Sequence, residues 1–202
     1  MILPRTILHA VLERMLSWTS SLNVQGTGGW YQRALLRGMG VHLSGPVAVA
    51  PGTSFLGCEN LHLGSYVSIG AGSRIVSWAP VTIGDDFLAS DLLNINSGTH
   101  DPVTLEPTSL PISIGKRVWC GTGVTICAGV DIGDDVIIGA RSLVTKSLPS
   151  NCVAYGIPAR PVRTLERPDG RVWSMWPERS ASEYLERLPK WKRALHWLRA
   201  RL

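Results

Sequence analysis

His100 is the residue of this sequence whose type and setting best suit chemistry. A histidine titrates near neutral pH without a large environmental shift, so it can take a proton from an attacking group and hand it on. It stands in the stretch Asn96-Ser97-Gly98-Thr99-His100-Asp101-Pro102. Asp101 and Asp91 are carboxylates able to orient such a base or an incoming hydroxyl, or else to hold a turn, the commoner use of aspartate in loops. No Ser or Cys stands in a motif with a nearby base, so no covalent intermediate on the protein is indicated. The four cysteines, Cys58, Cys120, Cys127 and Cys152, show neither CxxC pairing nor His partners at zinc-ligand spacing. They read as reduced thiols of a cytoplasmic protein.

The elements that must position His100 are set by a repeat. Apolar residues recur every six positions as Leu43, Val49, Phe55; Leu63, Ile69, Ile75; Ile83, Ala89, Ile95; Ile114, Cys120, Ile126; and Ile132, Ile138, Val144. The steps from Phe55 to Leu63 and from Ile75 to Ile83 are both eight, so extra residues fall at one corner of successive turns. Six residues make one short strand and its turn, and three such units close a triangular coil with every sixth side chain on the axis. Val67, Val81, Phe87, Val118, Val124, Val130 and Val136, two positions before the row, form a second apolar column. Gly64, Gly70, Gly84, Gly115, Gly121, Gly133 and Gly139 follow row positions, which suits corners of unusual φ and ψ. The pattern predicts an all-β solenoid, a left-handed parallel β-helix of about five coils. A β-sandwich would alternate with period two instead.

The row breaks once. From Ile95 to Ile114 the step is nineteen, so Asn96 to Pro111 contains a loop pushed out of the coil, with His100 at its mouth. In repeat proteins such insertions lie on the binding face.

On these residues the sequence resembles the hexapeptide-repeat acyltransferases, and among them the colanic-acid-type sugar O-acetyltransferases, the maltose and galactoside acetyltransferases and the streptogramin acetyltransferases. The resemblance covers roughly Gly40 to Leu165. It is carried by Ser97 to Asp101, by Pro111-Ile112-Ser113-Ile114-Gly115 leading to Val118-Trp119, by Val136 to Ser142 with Val144-Thr145-Lys146, and by Gly156-Ile157-Pro158-Ala159-Arg160. It implies an acetyl-CoA-dependent O-acetyltransferase in which His100 is the general base and Asp101 a candidate helper. It also implies that Trp119, Ala140 and Thr145 line the pantetheine arm of acetyl-CoA and that Lys146, Arg160 and Arg163 meet its phosphates. A homotrimer with three active sites at subunit boundaries is implied too. The departures are Cys120 at a row position usually held by Ile or Leu, and Cys127-Ala128-Gly129 where an Xaa-Pro-Gly corner is common. The oxyanion of the transition state would take donors from backbone N–H groups of a coil corner.

The ends of the chain read differently. Residues 1–40 form an N-terminal helical segment, residues 41–163 the β-helix, and residues 164–202 a basic amphipathic helical tail. Leu3, Ile7, Leu8, Val11, Leu12, Met15 and Leu16 have helical spacing, as do Tyr184, Leu188, Trp191, Leu195, Leu198 and Leu202 around a break at Pro189. Glu178 to Leu202 holds seven Lys and Arg against three Glu, or 7 − 3 = +4 of the net +5. Such a tail either packs on the β-helix or a neighbouring subunit, or docks on the anionic inner face of a membrane. Arg5, His9, Glu13 and Arg14 interrupt the N-terminal apolar stretch, so no membrane span is expected. No nucleic-acid motif accompanies the charge.

The acceptor stays open between a sugar or polysaccharide-precursor hydroxyl, the nitrogen of an amino sugar, and an antibiotic hydroxyl. A metal-dependent hydratase or a scaffold on the same β-helix is the remaining alternative. His42 and His62 each precede a row position, so they stack on adjacent coils and project outward, and no metal is expected.

Overall fold

A computed structural model of the chain describes residues 5–22 and 30–166, with side chains over 7–16 and 30–166. The tail from Glu178 to Leu202, with the helix expected there, lies outside the described residues.

Three parallel sheets form the faces of a prism. The first stacks His42–Leu43, Leu61–Leu63, Val81–Ile83, Ile112–Ile114 and Asp131–Ile132. The second stacks Val47–Val49, Val67–Ile69, Leu88–Ala89, Trp119–Cys120, Val136–Ile138 and Cys152–Gly156, and Ala159–Thr164 folds back antiparallel on the last of these. The third stacks Ser54–Leu56, Arg74–Val76, Asn94–Asn96, Thr125–Ile126 and Leu143–Val144. The chain visits the faces in that order, making five complete turns and opening a sixth, so the solenoid slightly exceeds the expected five coils.

The register follows the six-residue row. Leu43, Leu63, Ile83, Ile114 and Ile132 align in one ladder, and the other two faces behave alike. Fourteen of the fifteen row side chains are at most 3% exposed and Leu43 is half-buried. The second apolar column, Val67 to Val136, is buried throughout. Burying a side chain of this kind is worth about 1.5–3 kcal/mol, so each coil's share of the two columns stabilises its stacking on the next. Cys120 is fully buried and takes the place of an aliphatic residue; burial pushes its thiol up to about 12.

The seven glycines after the row serve a different purpose from the one expected. None has a positive φ. Gly64, Gly84 and Gly115 each donate a backbone N–H to a row carbonyl one coil on, of Ile83, Ile114 and Ile132, at 2.8 Å. A Cβ on any of them would collide with the corner of that next coil. Close stacking, not backbone freedom, therefore demands glycine there. Several left-handed positions are instead held by Tyr66, Asp86, Leu92, Arg117, Asp135 and Arg141.

The N-terminal segment is two helices, α1 (Arg5–Leu22) and α2 (Trp30–Gly38), where the apolar spacing marked only the first. They cover the first coil, whose edge strands would otherwise leave backbone groups unpaired. Glu13 of α1 accepts from the Phe55 N–H at 2.8 Å and His9 Nε2 meets the Phe55 carbonyl at 3.0 Å. The Gln32 amide of α2 does both jobs for Val49, donating to its carbonyl at 3.0 Å and accepting from its N–H at 3.2 Å. Leu16 and Leu36 join the core beside them.

Candidate active site

The loop leaves the prism at the corner between the third and first faces. Ser97 fixes its root: this fully buried residue donates its N–H to the Val76 carbonyl, and its Oγ accepts from the Ala79 N–H at 2.9 Å. Leu110 N–H returns to the Ser97 carbonyl at 2.9 Å and closes the excursion. Between them Gly98–His100 pairs antiparallel with Pro107–Ser109, so the excursion is a short β-ribbon.

Asp101 shapes the ribbon's tip. Its Oδ1 accepts from the N–H groups of Val103 and Thr104, each at 2.8 Å, and from the Thr104 hydroxyl at 3.2 Å. These donors, the Thr104 N–H foremost, hold the carboxyl below the usual carboxylate range. The hydrogen bonds therefore place Asp101 on the loop backbone rather than on His100. Asp91 is likewise a corner fastener, with Oδ1 accepting from the Ala71 N–H at 2.8 Å.

Within the tip, Leu105 adopts a left-handed φ of 60° and turns its carbonyl toward His100, whose Nδ1 lies 2.8 Å away. A carbonyl oxygen only accepts, so Nδ1 carries the proton of the neutral ring and Nε2 keeps the lone pair. The exposed imidazole is thus oriented by a backbone group that its own loop supplies. Nothing in the residue types announces that carbonyl; only the position of Leu105 five residues on, within a loop, hints at it.

Side chains alternate along the ribbon. Thr99 and Gly98 border a cleft of about 240 Å³ lined also by Asn94, Asn96, Leu110, Thr125 and Cys127. Gly98 and His100 share the ribbon face opposite the Thr99 side chain. Asn94 Oδ1 in that cleft is buried and has no hydrogen-bond partner among the described residues.

The remaining sequence-derived residues fall into two groups. Thr145 and Lys146 occupy the corner from which the loop emerges, two coils further on, or about 10 Å along the axis. Trp119 and Ala140 belong to the second face and the corner that follows it, with Trp119 45% exposed and set between Leu88 and Ile137. Arg160 joins this second group through the final hairpin, where it pairs with Tyr155, itself packed over Gly139. Arg163 borders a separate cleft of about 380 Å³ with Asn151 and Thr164. One chain therefore brings His100, Thr145 and Lys146 to one corner and Trp119, Ala140 and Arg160 to another, a face's width apart.

Lys146, Arg160 and Arg163 are exposed and take part in none of the ion pairs among the described residues. They suit phosphate oxygens, which favour lysine and arginine donors. His42 and His62 stack outward at 4.4 Å between ring centroids, as their places beside the row require. Among the described residues no three His, Cys, Asp or Glu side chains gather as a metal site.

No protein-family model matches the chain. Over 127 residues, 60% of its length, it is 39% identical to galactoside O-acetyltransferase of Escherichia coli (strain K12), of which the match spans 62%. It is 35% identical over 131 residues to a protein of the same organism provisionally named as a colanic acid biosynthesis acetyltransferase, covering 64% of this chain and 72% of that one. Among solved structures, a maltose O-acetyltransferase from Clostridium difficile 630 superposes with a TM-score of 0.65 at 27% identity, covering 79% of this chain and 85% of that one. A galactoside acetyltransferase in complex with coenzyme A superposes at 0.61 and 29% identity, covering 80% and 84%. The solenoid is thus the left-handed β-helix of these proteins.

Proposed function

Because the chain belongs to the hexapeptide-repeat acetyltransferase family, we propose that it transfers acetyl from acetyl-CoA to a saccharide hydroxyl, with His100 as general base. The observation that carries this reading is the Leu105 carbonyl on His100 Nδ1, which leaves Nε2 ready to accept a proton. An alcohol is a weak nucleophile at neutral pH. As its oxygen attacks the thioester carbonyl, Nε2 takes its proton, and the imidazolium so formed is stabilised by the Nδ1–H bond it already makes. Collapse of the tetrahedral intermediate breaks the carbon–sulfur bond, and the proton held on Nε2 passes to the departing thiolate. Asp101 acts as a positioning residue, holding the loop in the shape that aims the Leu105 carbonyl.

For acetyl-CoA, Trp119, Ala140 and Thr145 would flank the pantetheine arm and Lys146, Arg160 and Arg163 would meet the phosphates. The separation of these residues between two corners supports a site completed by a neighbouring copy, one subunit presenting the His100 corner and the next its Trp119 face. A homotrimer satisfies that requirement with three equal interfaces. The relatives' names, galactoside and maltose O-acetyltransferase, favour a sugar acceptor. No described helix is long and apolar enough to cross a membrane. Residence in the cytoplasm fits a substrate such as acetyl-CoA, and attachment to the inner membrane face through the basic tail is tested by vesicle flotation with and without residues 178–202.

A thiol-release assay with acetyl-CoA over a panel of sugars, amino sugars and nucleotide sugars tests the function. Release stimulated by hydroxyl acceptors is expected; stimulation by amino sugars alone would move the reaction to nitrogen, and none at all would refute the reading.

A further inference from the structure

We propose that Trp78 is the platform on which the acceptor sugar stacks, its indole presenting an apolar surface to the pyranose ring whose hydroxyl His100 deprotonates. This deepens the acetyl-transfer reading and rests on it for the role of His100. Trp78 lies at the same corner as the loop, one coil earlier, in register with Gly98. The indole runs along that corner. A Cβ built on Gly98 would lie 2.6 Å from Trp78 Cδ1 and 3.3 Å from Nε1, and one built on Gly57, in the coil before, would lie 3.5 Å from Cε3. Gly98 has no positive φ, so its backbone does not require glycine; the indole edge against it does.

That contact fixes the side of the ribbon. Gly98 and His100 are two residues apart on one strand and share a face, about 6.8 Å from each other. The indole edge against Gly98 therefore lies on the ribbon face that carries His100. Trp78 is 56% exposed, and none of the described hydrogen bonds engages its Nε1. A large aromatic surface left open beside an oriented base is the composition of a ligand site, in which an apolar plane binds and a few polar groups orient. A pyranose has such a plane in the axial C–H groups of one face, while its equatorial hydroxyls project from the rim toward His100. An acyclic polyol has no equivalent face.

The test compares wild type with Trp78→Ala and Trp78→Phe, using methyl β-D-galactopyranoside as ring acceptor and glycerol as acyclic control. Trp78→Ala should raise KM for the pyranoside about tenfold while KM for acetyl-CoA and turnover with glycerol stay within about twofold. Trp78→Phe should recover most of the loss, because it restores an aromatic plane. An unchanged pyranoside KM, or an equal loss with glycerol, would overturn the platform. If no acceptor releases thiol from wild type, the catalytic reading fails, and saturation-transfer NMR with the pyranoside then decides the platform alone. Binding that needs Trp78 sustains it; binding indifferent to Trp78, or none, refutes it.

Discussion

Replacing Gln32 with leucine should unfasten the first coil. Gln32 is 1% exposed and its amide satisfies both backbone groups of Val49 on the edge strand Val47–Val49. Leucine fills similar volume and pairs with neither. Each buried backbone group left unpaired costs about 1–3 kcal/mol, so two cost about 2–6, and the apolar gain of leucine offsets about 1–2 of this. The middle of each range leaves a net loss of about 2.5 kcal/mol, which lowers the apparent Tm by on the order of 5–10 °C for a chain of this size. The assay is thermal unfolding followed by far-UV circular dichroism. Gln32→Glu supplies an internal check, since the glutamate keeps an acceptor for the Val49 N–H but sets a buried carboxylate against the Val49 carbonyl. Its Tm should therefore be lower at pH 7 than at pH 5, where protonation restores a donor. A Gln32→Leu protein melting within 2 °C of wild type, about half the smallest shift worked out above, would refute the capping argument.

Asp101→Ala should lower kcat by at least about tenfold, leave KM for acetyl-CoA and the Tm nearly unchanged, and thus separate loop shape from folding. Its carboxyl is depressed by backbone donors, so the order it gives the loop is complete above the usual carboxylate range and is lost only as pH falls through the lowered value. The acid limb of a pH–kcat profile should accordingly be the same in wild type and Asp101→Asn. Burial pushes the thiols of Cys58 and Cys120 up to about 12. Iodoacetamide at pH 8 should leave both unlabelled in the native protein, as peptide mass mapping would read. A raised thiol adds stability that is whole below the unfolded value near 9 and is lost as pH rises toward about 12, so denaturant midpoints should fall across that window. At the corner Cys127-Ala128-Gly129, Gly129 has a φ of 75°, as the third residue of a type II turn does. Ala128→Pro should therefore stabilise by about 0.5–1 kcal/mol in urea unfolding.

The fold was legible because its cause is periodic. A side chain on the axis every six residues is both the sequence pattern and the core, and His42 beside His62 followed from the same phase. The loop was legible as the single failure of the period. What escaped lies in backbone contacts that residue types do not encode. Gln32, His9 and Glu13 look like ordinary helix polar residues until an unpaired strand edge is placed beside them. The seven glycines carry the same signal whether they serve dihedral freedom or close stacking, and only the distance to the next coil separates the two. Asp101 was placed near the base by adjacency in sequence, whereas its carboxylate reaches forward to Val103 and Thr104. Trp78 was invisible because its meaning depends on Gly98, twenty residues later and one coil away.

The most direct test of the central claim is the turnover of His100→Ala in the thiol-release assay, with acetyl-CoA affinity measured in parallel. General-base catalysis of this kind contributes about 10²–10⁴-fold, so kcat should fall by that factor while the acetyl-CoA dissociation constant stays within about twofold. Turnover within about threefold of wild type in a folded His100→Ala protein, far short of that factor, would contradict the account.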